Sequence, residues 1–101
     1  MAQKANLQYQ YYDLGELRRD QIIEVGLGYT ANVRILDSPN YSKFKSGRSH
    51  RYIGGYVTQS PYYVVVPENA HWYAVIDLGG YSGKIKSYVK VLSGKLPPAI
   101  Q

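Results

Sequence analysis

Cysteine is absent from this chain of 101 residues, so disulfide bonds and thiolate metal sites are excluded. Long apolar runs are absent as well, since no stretch approaches the roughly 18 apolar residues that cross a membrane as a helix. The first ten residues contain no apolar run, which predicts that there is no signal peptide. We therefore expect a cytoplasmic location and no membrane partner.

Acidic residues are missing from two long parts of the chain. Residues 38–67 contain four basic residues and no acid, and residues 78–101 contain four lysines and no acid. The net charge is +5. A basic surface favours anionic partners, although a solvated face that keeps the protein soluble has the same composition.

Tyrosine is abundant, with twelve Tyr beside one Trp and one Phe, and Tyr, Val and Ile favour strands. Apolar and polar residues alternate along most of the chain, with Gly and Pro between the alternating segments. The alternating positions of the predicted strands are Leu7, Tyr9 and Tyr11; Ile23, Val25 and Leu27; Ala31, Val33 and Ile35; Tyr62, Val64 and Val66; Trp72, Ala74 and Ile76; and Ile85, Ser87, Val89 and Val91. A further strand is predicted over residues 52–58.

About seven short strands with turn residues between them predict an all-β fold. We expect a small two-sheet antiparallel β-sandwich that is jelly-roll-like and carries one short helix. A chain of this length holds one hydrophobic core. The single domain is predicted over residues 7–93, with flexible termini at residues 1–6 and 94–101.

One segment carries the punctuation of a helix. Ser38 can cap the first turn, Pro39 suits the first helical position and Gly47 suits the left-handed stop. Tyr41 and Phe44 lie three positions apart and so share one face. We predict a short helix that plugs one end of the sandwich.

Two other features predict local irregularities. Residues 15–20 are polar and predict a turn after the first strand. The pair Gly54-Gly55 predicts a bulge or a bend within a strand.

Four stretches of the chain resemble a known family. They are Tyr12-Asp13-Leu14-Gly15, residues 31–38 (ANVRILDS), residues 47–55 (GRSHRYIGG) and residues 71–83 (HWYAVIDLGGYSG). Together they resemble the bacterial domain of unknown function numbered eighteen-eighty-three, over about residues 9 to 92. The resemblance implies a compact β-sandwich. Domains of this family stand alone or beside a Toll/interleukin-receptor (TIR) domain, which implies sensing or assembly in prokaryotic immunity.

The first candidate site is the loop from Gly47 to Tyr52. It places Arg48 and Arg51 on either side of His50, and arginine provides forked donors for a phosphate or carboxylate. The alternative is structural: Arg48 pairs with an aspartate, Asp37 or Asp77, and pins the loop, while His50 fills a polar gap.

The second candidate consists of Asp37, Asn40 and Asp77, because both aspartates end predicted strands. Oxygen ligands at the end of a sandwich can hold calcium. Asp and Asn at strand ends are more often turn formers that accept backbone hydrogen bonds. Since no Asp-x-Asp-x-Asp run is present, we predict no metal and no cofactor.

The third candidate is a set of tyrosines that fall outside the best-defined core positions. They are Tyr12, Tyr56, Tyr63, Tyr73, Tyr81 and Tyr88. Exposed aromatic rings with interleaved lysines can stack on sugars or on the bases of single-stranded nucleic acid. Tyrosine-rich faces are also common at protein interfaces, so homo-oligomer formation is the preferred interpretation over nucleic-acid binding.

Catalysis has little support. Ser49 adjoins His50, but neighbours on an extended chain point in opposite directions. His50 and His71 do not have metal-ligand spacing. We therefore predict that the protein is not an enzyme.

The predicted function is a non-enzymatic ligand-binding, sensing or assembly module. It would recognise a small anionic ligand or a protein partner through Asp37, Asn40, Arg48, His50, Arg51, Tyr52, Trp72 and Asp77. Arg48 and Arg51 would donate to the anion, His50 would add a hydrogen bond, and Tyr52 or Trp72 would form a wall. The alternative is a nucleic-acid- or carbohydrate-binding sandwich that uses exposed Tyr and Lys.

Overall fold

A computed structural model describes residues 8–79 and 85–92 of the chain. It contains seven strands and one helix. In chain order they are β1 (Tyr9–Leu17), β2 (Ile22–Leu27), β3 (Ala31–Asp37), α1 (Ser38–Lys45), β4 (Ile53–Val57), β5 (Tyr62–Val65), β6 (Ala70–Asp77) and β7 (Ser87–Leu92). The predicted termini at residues 1–6 and 94–101 lie outside the described residues.

The strands form two antiparallel sheets, which confirms the predicted all-β sandwich. One sheet has the order β1-β6-β3-β4 and the other the order β5-β2-β7. In an eight-stranded jelly roll, the first and third strands flank the last strand in one sheet, and the second pairs with the penultimate strand in the other. Strands β1 to β6 follow this pattern, with α1 in place of two central strands. Strand β7 extends the second sheet beyond β2.

The core lies between the sheets and comes from the alternating residues of the central strands. Fully or nearly fully buried side chains on the inner faces are Ile23, Val25, Ala31, Val33, Ile35, Val64, Val66, Trp72, Ala74 and Ile76. These are positions that the alternation predicts in β2, β3, β5 and β6. Burial of each large aliphatic side chain contributes about 1.5–3 kcal/mol to the free energy of unfolding.

Helix α1 lies in the segment where the sequence predicts a helix, but it begins one residue earlier and packs in a different place from the prediction. Tyr41 and Phe44 are buried as expected, and they pack with Leu36 and Val75 on the outer face of the four-stranded sheet. The helix therefore covers one end of that outer face instead of plugging the space between the sheets. Asp37, not Ser38, is the N-cap residue.

Strand β1 also differs from its prediction. It continues to Leu17 with a bulge between Asp13 and Gly15, so the turn predicted over residues 15–20 is confined to the end of that range, where the Gln21 N–H donates to the Arg18 carbonyl. Its interior side carries Gln10 and Tyr12, which hydrogen-bond to β7 and to the segment before it. The bonds join Gln10 Nε2 to the Ile85 carbonyl (2.9 Å) and the Tyr12 hydroxyl to Ser87 Oγ (2.6 Å).

The predicted bulge at Gly54-Gly55 is wrong, because β4 pairs with β3 in unbroken register. Both glycines have positive φ, +132° and +141°. A Cβ on Gly54 would lie 2.2 Å from the carbonyl oxygen of Val33, so only glycine lets the two strands approach at this point.

Among the described residues, no helix is long and apolar enough to span a membrane.

Candidate functional site

Asn40 holds the start of α1 and the following loop together. Its backbone N–H and its side-chain Nδ2 both donate to Oδ1 of Asp37, at 3.2 and 2.8 Å. Its Oδ1 accepts the backbone N–H of Arg51 at 2.8 Å. This chain of hydrogen bonds fixes the position of the loop against the helix, and we call this part of the molecule the helix end of the sandwich.

A groove of about 320 Å³ opens at the helix end. Its polar walls are Asp37, Asn40, Arg51 and Glu68, and its apolar walls are Ile35, Tyr52, Ile53, Pro67 and Trp72. Trp72 is only 4% exposed, and its Nε1 donates to the backbone carbonyl of Glu68 at 3.1 Å. The indole therefore fixes the segment that carries Glu68 beside the groove.

A second cavity, a cleft of about 520 Å³, adjoins the groove and shares Asn40 and Arg51 with it. The remaining walls are Lys43, Ser49 and His50. Within residues 8–79 and 85–92, neither Lys43 nor Arg51 forms an ion pair with a carboxylate. The cleft therefore presents two cations that have no ion-pair partner among the described residues.

His50 lies between the cleft and the aromatic residues under it. Its Nδ1 is 2.8 Å from the carbonyl oxygen of Arg48, and a carbonyl only accepts, so Nδ1 carries the proton and donates. The ring packs edge-on against Phe44 at 5.4 Å. Neutral His50 therefore keeps Nε2 as an acceptor, and only the protonated imidazolium donates to an anion through Nε2.

Tyr52 is half-exposed and forms an aromatic wall of the groove. The guanidinium carbon of Arg34 lies 5.2 Å from the centre of its ring, and His50 lies 5.7 Å away. These contacts hold the ring by a cation–π interaction and by packing.

The structure brings together six of the eight predicted site residues: Asp37, Asn40, His50, Arg51, Tyr52 and Trp72. Arg48 belongs to the same loop, but it does not line either cavity. Its backbone N–H donates to the carbonyl of Lys43 at 2.8 Å, so it contributes through its main chain.

Asp77 lies at the opposite end of the sheet. It pairs with Asn32 in the register of β3 and β6, five positions from Asp37, or roughly 17 Å along the strand. It is 1% exposed, and it accepts from Arg34 Nη1 (2.6 Å), Asn32 Nδ2 (3.0 Å) and the backbone N–H of Gly79 (2.7 Å). The predicted pairing of Arg48 with Asp77 is therefore wrong, since Arg34 occupies that position.

Calcium ligation by Asp37 and Asp77 together is not possible at this separation. In the described part of the chain, no group of three or more His, Asp or Glu side chains is arranged to hold a metal ion.

Sequence reasoning missed three residues near the site. Lys43 follows Asn40 by three positions on α1, and this spacing on one helix face was the signal that could have placed it in the cleft. Glu68 lies in the connection from β5 to β6 and Arg34 lies on β3, and no local pattern marks either residue as part of the site.

The tyrosines of the third candidate do not form one surface. Tyr12 hydrogen-bonds to Ser87, Tyr73 stacks on Tyr41 at 4.1 Å, and Tyr56 is 70% exposed on β4. Tyr63 and Tyr88 lie on the outer face of the three-stranded sheet beside Glu24, as its strand register requires. Tyr81 lies outside the described residues.

Glu24 contributes to raised pKa values of Tyr63 and Tyr88. The Tyr88 hydroxyl donates to Oε2 of Glu24 at 2.5 Å, and this hydrogen bond raises the pKa of Tyr88. Burial and the nearby Glu24 charge raise the pKa of Tyr63. Both rings stay neutral at physiological pH and add no charge to the surface.

Comparison with known proteins gives one match. The family model described as Domain of unknown function (DUF1883) matches residues 7–95. No curated protein and no solved structure is similar enough to the chain to count as a match. The matched range contains all seven strands and α1, and it confirms the family that the four sequence stretches resemble. The chain therefore belongs to the family described as Domain of unknown function (DUF1883).

Proposed function

We propose that this domain is a non-enzymatic module that binds a small anionic ligand in the cleft at the helix end. The observation that carries the proposal is the pair of cations, Lys43 and Arg51, which share the cleft without a carboxylate partner among the described residues. Asn40 holds the backbone of Arg51 in place, so anion binding has to order the exposed Lys43 and Arg51 side chains but not the loop that carries Arg51.

The chemistry of the cleft suits a phosphate or carboxylate group. Arg51 offers a planar fork of donors, and Lys43 offers a compact positive charge. Ser49 adds a hydroxyl, and the His50 ring lines the same cleft.

We favour binding over hydrolysis at this site. A nucleophilic serine needs a histidine base that a third group orients. His50 donates through Nδ1 to the backbone carbonyl of Arg48, and no carboxylate in the described residues bonds to it. This arrangement favours binding over catalysis.

A role in sensing or assembly within a bacterial protein, with prokaryotic immunity as one setting, is part of the proposal and rests on the family resemblance. We also propose a cytoplasmic location. We favour a small ligand over nucleic acid because the tyrosines lie on several different surfaces and not on one platform.

The test measures binding of inorganic phosphate by isothermal titration calorimetry. Replacing Lys43 or Arg51 with Ala removes a charged hydrogen bond, so each variant should bind about tenfold more weakly or worse. Lys90→Ala is the charge-matched control, because Lys90 lies on β7 in the other sheet and should bind as the wild type does. No phosphate binding by the wild type, or equal loss in the Lys90 control, would contradict the proposal.

The Arg48→Ala variant separates the structure from the sequence prediction. The sequence assigns Arg48 and Arg51 equal roles, whereas the structure places only Arg51 in the cleft wall. We expect phosphate affinity to stay within about twofold of the wild type in Arg48→Ala. A loss as large as that in Arg51→Ala would mean that the loop closes over the ligand and carries Arg48 into the cleft.

A further inference from the structure

The groove and the cleft at the helix end have opposite chemistry although they share two walls. The cleft carries cations, Lys43 and Arg51. The groove carries two carboxylates, Asp37 and Glu68, between aromatic walls. A ligand that fills both must therefore join an anionic group to a flat group that donates hydrogen bonds.

The carboxylates of the groove have oxygens that accept no hydrogen bond from the described residues. Both hydrogen bonds from Asn40 to Asp37 end on Oδ1, and no group in the described residues donates to Oδ2. Glu68 uses its backbone carbonyl to accept from Trp72, while its carboxylate forms no ion pair within residues 8–79 and 85–92. Within the part of the chain that the structure describes, neither carboxylate therefore has an ion-pair partner.

We propose that the ligand is a guanine nucleotide, with its base in the groove and its phosphate in the cleft. This inference rests on the proposed function, because the phosphate contacts are those of the anion site. The N1–H and the N2 amino group of guanine are adjacent donors that match the two oxygens of one carboxylate. The base would stack on the exposed ring of Tyr52.

Arg51 and Asn40 lie where the groove meets the cleft. Both residues line the groove and the cleft, so the two cavities are adjacent and a ligand that crosses this boundary contacts both. A groove of about 320 Å³ lies at the lower end of the size of small-molecule cavities. It accommodates a single base, while the sugar bridges to the cleft.

The carboxylates also provide discrimination against adenine. Adenine presents a ring acceptor, N1, where guanine presents N1–H, and an acceptor that faces a carboxylate leaves both unpaired and mutually repelled. Sites that hydrogen-bond a donor reject analogues that lack it far better than sites that only fit a shape. Hypoxanthine retains N1–H and lacks the N2 amino group, so its nucleotide should fall between the two.

The experiment is isothermal titration calorimetry with guanosine, inosine and adenosine monophosphates and with inorganic phosphate. The wild type should prefer the guanine nucleotide over the adenine nucleotide by about tenfold or more, with the inosine nucleotide between them. Glu68→Gln keeps the shape of the side chain and removes the charge. It should reduce the guanine preference at least about fivefold and leave phosphate affinity unchanged or stronger.

The control for Glu68→Gln is Asp20→Asn, which removes one negative charge at a surface turn where asparagine tolerates the positive φ. It should keep the guanine preference. Equal affinity for the guanine and adenine nucleotides, or a preference that survives in Glu68→Gln, overturns the ligand assignment. If phosphate then still binds through Lys43 and Arg51, the proposed function stands alone. If neither phosphate nor any nucleotide binds, both proposals are overturned.

Discussion

Asp37 and Asp77 end neighbouring antiparallel strands of the same sheet, yet they face different environments. Asp77 is buried and accepts hydrogen bonds from Arg34, Asn32 and Gly79. Asp37 caps a helix through one oxygen and lines a groove. Because the strands run in opposite directions, the two strand ends lie at opposite ends of the sheet.

The difference shows that polar groups stabilise the fold at one end of the sheet and stay accessible at the other. At the Asp77 end, one carboxylate and one guanidinium neutralise each other under the outer surface. At the helix end, Asp37 and Glu68 line the groove, Lys43 lines the cleft and Arg51 lines both, without ion pairs between them in the described residues. Charged groups that stay accessible beside apolar and aromatic walls are available to orient a ligand.

The strongest test of this comparison is Asp77→Ala. The change leaves the guanidinium of Arg34 partly buried against the rings of Phe44 and Tyr52 without its counter-ion. We expect a loss of about 3 kcal/mol in the free energy of unfolding, at the lower end for a broken buried pair because the Arg34 side chain is 23% exposed. Urea denaturation followed by circular dichroism measures it.

A double-mutant cycle keeps this test specific. Arg34→Met together with Asp77→Ala removes the unpaired charge. The double variant should therefore lose less free energy of unfolding than the sum of the two single losses, by about 1 kcal/mol or more. If the two losses simply add, the destabilisation in Asp77→Ala comes from lost packing around Asp77 and not from the broken ion pair.

Asp37→Ala should have a smaller effect at the helix end. Loss of an N-cap costs about 1 kcal/mol, and the hydrogen bonds to Asn40 disappear with it. Asp37→Ser keeps a capping oxygen and should recover most of the stability. If Asp37→Ala were as destabilising as Asp77→Ala in urea, the two aspartates would both be structural and the comparison would fail.

Much of the fold was predictable because burial follows alternation. In strands β2, β3 and β6, every second residue is apolar and faces the core. Tyr41 and Phe44, three positions apart, lie on the buried face of α1. Strand β1 was not predictable in this way. Tyrosine tolerates either face, and Gln10 is accommodated inside only because its amide bonds to Ile85 and Ser87, which lie more than seventy positions away.

The same limit applies to the site. Asp37, Asn40 and the loop from Gly47 to Tyr52 are close in sequence, so local reasoning brought them together. Asp77 was misplaced because strand ends can be assigned to an end of the sheet only when the pairing order is known. Glu68 was missed because the connection from β5 to β6 carries no motif, and its place in the groove depends on Trp72.

Alkaline pH should weaken the helix end before the Asp77 end. Burial raises the pKa of Tyr41 to about 12, and the neighbouring Tyr9 hydroxyl adds to the rise. A raised pKa in the folded state gives stability that is complete below about pH 10 and is lost as the pH rises towards 12. Hydrogen exchange should therefore show α1 opening in this range.

The matched variants for this prediction are Tyr41→Phe and Tyr29→Phe. Tyr41→Phe removes the ionisable hydroxyl and should retain α1 protection at high pH, whereas Tyr29 is 83% exposed and its loss should change nothing. Simultaneous opening of β3, β6 and α1 in the wild type would show that the two ends unfold as one unit.

The smallest expected effect concerns Asp13, on the same outer face of the sheet as Tyr41. His71 Nε2 donates to Oδ1 of Asp13 at 2.6 Å, and this hydrogen bond, with one from the Gly15 backbone, holds the pKa of Asp13 below its ordinary value of 3.8. A lowered pKa gives stability that is present above about pH 4 and is lost as the pH falls through the folded-state value. Carboxyl NMR titration should show that the pKa of Asp13 rises in His71→Ala and stays unchanged in the control His50→Ala. Because Asp13 is exposed, neither variant should measurably shift the urea midpoint at neutral pH. A pKa that does not respond to His71→Ala would assign the shift to the Gly15 backbone, and the acid sensitivity of this edge of the sheet would then belong to the β1 bulge itself.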